Sequence, residues 1–104
     1  MRTVKVIKVK VSSILTITTK TKDMIENIMS NTYGVLTNKC TVEDILEQYE
    51  GTDAMFYGNP YEPTVEDIYE VIEFFENTEE YEKCMELVYV QNDIRVNNLI
   101  KECL

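Results

Sequence analysis

Fifteen carboxylates fall between Glu43 and Glu86, and Lys83 is the one base among them. Paired carboxylates can work as general acid and base or hold Mg²⁺, and Glu66 and Glu70 share a helix face. That use needs a pocket that shifts one carboxyl, and an acid row on an exposed helix supplies none. The chain has no histidine, which excludes Ser-His-Asp and Cys-His arrangements and the common zinc sets. Cys40, Cys84 and Cys103 are too widely spaced for a CxxC pair and read as buried thiols, with Cys103 the one most open to oxidation. There is no DxDxDG calcium loop, and Gly34, Gly51 and Gly58 are too dispersed for a phosphate-binding loop. These residue types predict no enzyme, no cofactor and no metal. What they offer is a recognition surface.

The candidate surface combines acids with tyrosines. Glu66, Glu70 and Glu73 stand at i, i+4 and i+7 on a helix, opposite a stripe through Ile68 and Ile72, with Tyr69 beside the row. At about 1.5 Å rise per residue these carboxylates repeat every ~4.5 to 6 Å, a scale similar to phosphates along a DNA strand. Like charges at i,i+4 cost a helix roughly 0.2–0.5 kcal/mol per pair, and no lysine relieves them. The partner-binding set extends to Glu62, Asp67 and Glu76, to Tyr57 and Tyr61, and to Glu43, Glu47 and Glu50 on the preceding element. Tyrosine beside charge is the composition of an interface anchor. A solvated polar face that keeps a small protein soluble is the plainer alternative.

Charge is divided along the chain. Residues 1–40 sum to +5 and residues 41–104 to −14, for a net −9. Such asymmetry points to partners more than to fold: the acidic half repels phosphates and anionic membranes and attracts proteins that bind polyanions. No apolar run is long enough to span a bilayer, and the basic start lacks the apolar region and cleavage site of a signal peptide. A cytoplasmic place is expected.

The elements that must position these residues are read from local signals. At 104 residues the chain is expected to form a single domain. Thr3 to Val11 alternates valine with lysine, with a bulge expected at Val6–Ile7, and Ile14 to Lys20 is rich in β-branched residues. Together they predict an antiparallel N-terminal hairpin. A short helix is expected over Lys22–Ser30, a third short strand over Tyr33–Thr37, and a strand or ordered loop over Asp53–Gly58. Thr41 and Thr64 each open the same phrase, Thr-Val-Glu-Asp-Ile, in which threonine caps a helix and acids fill its first turn. The two copies are a repeat or two equal solutions to starting a helix. Helices follow to about Glu50, where Gly51 suits the stop, and from Val65 to Asn77. After Asn77–Thr78 another helix begins, with Tyr81, Cys84, Met85 and Val88 as its apolar face. Val88–Val90 also suits a strand, and Asn92–Asp93 would interrupt or kink the run. The sum is an α+β fold: a hairpin and a short third strand packed against three or four helices.

In size, in lacking histidine and tryptophan, and in the carboxylate–tyrosine run Glu43–Glu86, the chain resembles small acidic inhibitors of phages and mobile elements, the anti-CRISPR and DNA-mimic antirestriction proteins. The resemblance implies stoichiometric blockade of a CRISPR effector or other defence nuclease in the host cytoplasm, with acids filling a groove built for nucleic acid. An antitoxin or immunity protein facing a basic toxin uses the same electrostatics. Direct nucleic-acid binding through Lys5, Lys8, Lys10, Lys20 and Lys22 is the third reading, weakened by the acidic half and the absence of stacking aromatics. That basic patch would also suit docking on the acid face of a second copy, as a homodimer.

Overall fold

The structure, a computed structural model, describes residues 4–7, 19–49 and 54–103. Two four-residue strands, β1 (Val4–Ile7) and β2 (Ala54–Tyr57), pair in parallel, with Val4 opposite Ala54 and Ile7 opposite Tyr57. The helices are α1 (Thr19–Leu36), α2 (Val42–Gln48), α3 (Val65–Asn77) and α4 (Tyr81–Cys103). The fold is α+β, mostly helical.

The parallel pair replaces the expected antiparallel hairpin. Thr19 and Lys20, assigned by sequence to its second strand, begin α1, and Ile14–Thr18 lie outside the described residues. Parallel strands need a long crossover, which α1 and α2 provide. Pairing is regular from Val4 to Ile7, with no bulge in those residues.

β2 is buried on both sides, as its alternation dictates. Ala54 and Phe56 meet Val42 and Ile45 of α2, whereas Met55 and Tyr57 join the larger core built from α1, α3 and α4. Side chains of α1 then close the strand's far edge. The Tyr57 amide donates to Thr32 Oγ1 at 2.8 Å, and Asn31 Nδ2 donates to the Met55 carbonyl at 3.3 Å. These bonds stand in for a neighbouring strand and satisfy backbone groups that burial would otherwise leave costly.

α1 absorbs Tyr33–Leu36 of the expected third strand, and Thr37 enters the turn that follows. Ile25, Ile28, Met29 and Thr32 continue one buried face at helical spacing. The helix ends when Asn38 turns left-handed (φ 60°) and the amides of Asn38 and Lys39 reach back to Val35 and Gly34. α3 has the bounds its sequence predicts. It buries Ile68, Val71, Ile72, Phe74 and Phe75, with Phe74 and Phe75 edge-to-face at 5.2 Å.

α4 runs unbroken through Asn92–Asp93 and includes Val88–Val90, so neither the interruption nor the strand forms. Its burying face also differs from expectation. Cys84, Leu87 and Gln91 turn inward, whereas Tyr81, Met85 and Val88 are exposed. The inward set holds a polar bond that fixes the helix pair: Gln91 Nε2 donates to the Val65 carbonyl at 3.0 Å.

Candidate functional site

The acids of α3 are arranged by its own caps and core. Thr64 accepts the Asp67 amide at 3.1 Å, and burial of Ile68, Val71, Ile72 and Phe75 turns the opposite arc outward. Glu66, Tyr69 and Glu76 are exposed there, and Glu70 and Glu73 are half-buried. Tyr69 is 59% exposed, enough to leave most of its ring available to a partner. The loop before the helix adds Tyr61 and Glu62, both exposed; the Tyr61 amide donates to Asn59 Oδ1 at 2.9 Å and fixes the turn.

Tyr57 and Asp67 do not share this surface. Tyr57 is 5% exposed because it points, with Met55, into the core built from α1, α3 and α4. Its hydroxyl is pushed up to about 12, by burial first and then by Glu70, Asp67 and Glu73. Asp67 is 9% exposed and packs over Gly58, whose φ of +71° only glycine adopts freely. A Cβ at Gly58 would lie 2.5 Å from Asp67 Oδ2, so the carboxylate and this turn fit only as a pair.

The two Thr-Val-Glu-Asp-Ile phrases therefore diverge in use. Thr41 and Asp44 form a reciprocal box, with Asp44 Oδ2 accepting the Thr41 amide at 3.0 Å on the surface. At the second copy, Thr64 caps and Asp67 is buried against Gly58. Glu43 and Glu47 are exposed on α2, across β2 from α3, and so form a separate acidic patch. Glu50 lies outside the described residues.

Other acids are held by bases. Glu86 bonds Lys39 Nζ at 3.0 Å and accepts the Tyr33 hydroxyl at 2.8 Å, and these partners lower its pKa. Glu80 pairs with Lys83 at 2.8 Å, which lowers its pKa with help from Thr78. Lys83 also sits 5.0 Å from the Phe75 ring centre and 5.4 Å from that of Tyr33. Both acids thus fasten the ends of α1, α3 and α4 together. Among the described residues no base pairs with Glu66, Glu73 or Glu76.

Two features of the surface were not read from sequence. An open apolar groove of about 420 Å³ runs along α3 and α4, lined by Ile72, Glu76, Tyr81, Met85 and Tyr89 among others. Glu76 belongs to both groove and acid row, which joins them into one continuous face. The exposure of Tyr81 and Met85 was hidden because a helix with two apolar faces gives no sequence sign of which one is buried. On the other flank, a cleft of about 600 Å³ sets Tyr61, Glu62 and Glu66 opposite Asn97, Asn98 and Lys101.

Cys84 is buried, and burial pushes its thiol up, with Glu76 and Glu80 adding to the effect. Cys40 is half-buried over Gly34 and its thiol is likewise raised by burial. Neither has the electropositive setting of a reactive cysteine. No group of three or more Cys, Asp or Glu residues suited to a metal ion occurs among the described residues. None of the described helices is long and apolar enough to cross a membrane. The chain matches no known protein family, no curated protein and no solved structure.

Proposed function

We propose that the protein is a stoichiometric inhibitor that binds a basic, nucleic-acid-handling protein, a CRISPR effector or other defence nuclease, through the outer face of α3. The observation that carries this reading is the row Glu66–Tyr69–Glu73–Glu76, which has carboxylates without described bases, an exposed tyrosine, and an apolar groove at its end. Lysines and arginines that grip phosphates are met equally well by carboxylates, through charge-assisted hydrogen bonds. Tyr69, with Tyr81 of the groove, adds the desolvated contact that charge alone does not supply. Acid excess also raises the rate of encounter with a basic partner. Glu43 and Glu47, on the far side of β2, belong to a second contact or to solvation, not to this footprint.

The test is affinity capture from a nuclease-treated host lysate at low and high salt, with captured proteins identified by mass spectrometry. A basic nucleic-acid enzyme retained at low salt, released at high salt and displaced by duplex DNA is the expected result. Capture of a basic toxin with no nucleic-acid activity would favour the antitoxin reading. Capture of no basic protein would overturn both.

A further inference from the structure

α4 is apolar on two faces, and its own fold uses one. Cys84, Leu87 and Gln91 are buried with Ile94 partly so, whereas Met85, Tyr89, Val96 and Leu99 are exposed. At 100° per residue the exposed stripe is centred roughly 140° round the helix from the buried one, so it faces away from the protein's core. Tyr89 is 67% exposed and Leu99 60%. Such exposure is unusual for a helix that already has a core to pack on.

The spacing of the stripe is informative. Met85, Tyr89, Asn92, Val96 and Leu99 follow one another by four, three, four and three residues, the heptad seam of a coiled coil. Tyr89 and Val96 occupy one seam position and Met85, Asn92 and Leu99 the other, with Val88 and Ile100 flanking. We infer that α4 pairs in parallel with α4 of a second copy of this chain through this seam, forming a two-fold dimer.

Three observations select a second copy over an unrelated helix. A β-branched residue at the first seam position and leucine at the second, as in Val96 and Leu99, is the combination that favours two parallel strands. Asn92, the lone polar seam residue and one of the second seam position, faces its own symmetry mate in a parallel pair of identical helices, where the two amides can bond each other. Charge permits the approach: over the seam, Met85 to Leu99, the helix carries Glu86, Asp93 and Arg95, for only −1 in a chain of net −9.

The test measures mass by sedimentation equilibrium across the micromolar range, for the wild type and for Val96→Lys with Leu99→Lys. Both residues are exposed, so the double variant should keep its far-ultraviolet helicity. The wild type is expected to be a dimer and the double variant a monomer at least tenfold higher in concentration, with Glu66→Lys leaving the dimer intact. In addition, Leu99→Cys should cross-link to the same position of the partner on mild oxidation, identified by peptide mapping. A wild type that stays monomeric, or a dimer indifferent to the double substitution, would overturn the inference. A dimer whose introduced thiols do not cross-link would overturn its parallel register.

Discussion

Glu79 and Asn38 close two helices in the same way but at different cost. Each takes a left-handed conformation, with φ of 61° and 60°, and each lets the next amide reach back five residues, Glu80 to Phe75 and Lys39 to Gly34. Asparagine tolerates that geometry, whereas glutamate pays roughly 1 kcal/mol or more for its Cβ. Glu79→Gly should therefore raise stability by about 0.5–1 kcal/mol in urea unfolding, after the extra freedom glycine gives the unfolded chain. A loss of stability would mean that the turn is held by the glutamate side chain. Tyr57 supplies a second residue-scale test. Its pKa is raised to about 12 in the fold, while the unfolded chain loses this proton near 10. The neutral form is the one the fold favours, so stability from this group is complete below pH ~10 and falls between about 10 and 12. Tyr57→Phe should remove that fall and the latest phase of phenolate absorbance in the folded protein. A phenol at Tyr57 that titrates with the exposed tyrosines would contradict its burial.

At the scale of elements, one phrase in the sequence starts two helices, yet its aspartates do different jobs. Asp44 is exposed and closes a reciprocal box, so Asp44→Ala should cost about 0.5–1 kcal/mol. Asp67 is buried over Gly58, and Asp67→Ala should cost about 2 kcal/mol or more by leaving a void against the turn. Equal losses in parallel denaturation curves would show that both act only as caps. Sequence revealed the shared cap because capping is local. It did not show the difference, which depends on where Gly58 sits. The same division runs through the fold. The bounds of α3 follow from Thr64 and its apolar stripe, both local. The partner of β1 is chosen from afar: β2 takes it in parallel, and Thr32 and Asn31 seal the other edge, contacts that span 24 or 25 residues. Tyr33–Leu36 look strand-like alone but continue a helix because Ile28, Met29 and Thr32 already commit that face to the core. In the candidate site, helical spacing places Glu66, Glu70 and Glu73 in one row with Tyr69 beside it; Glu66 and Tyr69 are exposed, whereas Glu70 and Glu73 are half-buried. The burial of Tyr57 and Asp67 was not legible in the sequence, since it follows from strand direction and a turn.

For the whole molecule, acidic and apolar surface adjoin on the helical layer, and the groove shares Glu76 with the acid row and Met85 and Tyr89 with the α4 seam. The outer arc of α3 is acidic, the groove beside Glu76 is apolar, and the far half of α4 is nearly neutral with an exposed seam. Pairing through that seam would give each assembly two acidic faces and raise its avidity for a partner with two basic sites. The central claim is that the α3 face, and not acidity in general, binds a basic partner. The most direct measurement compares capture of that partner by the wild type, by Glu66→Lys with Glu76→Lys, and by Glu43→Lys with Glu47→Lys. All three proteins should be matched for helicity and concentration at low salt. Both double variants change the net charge equally, so a general field would weaken both alike. The expected result is a loss of at least tenfold in affinity for the α3 pair and a change within about threefold for the α2 pair, which affects mainly encounter. Equal losses, or undiminished binding by the α3 pair, would contradict the account.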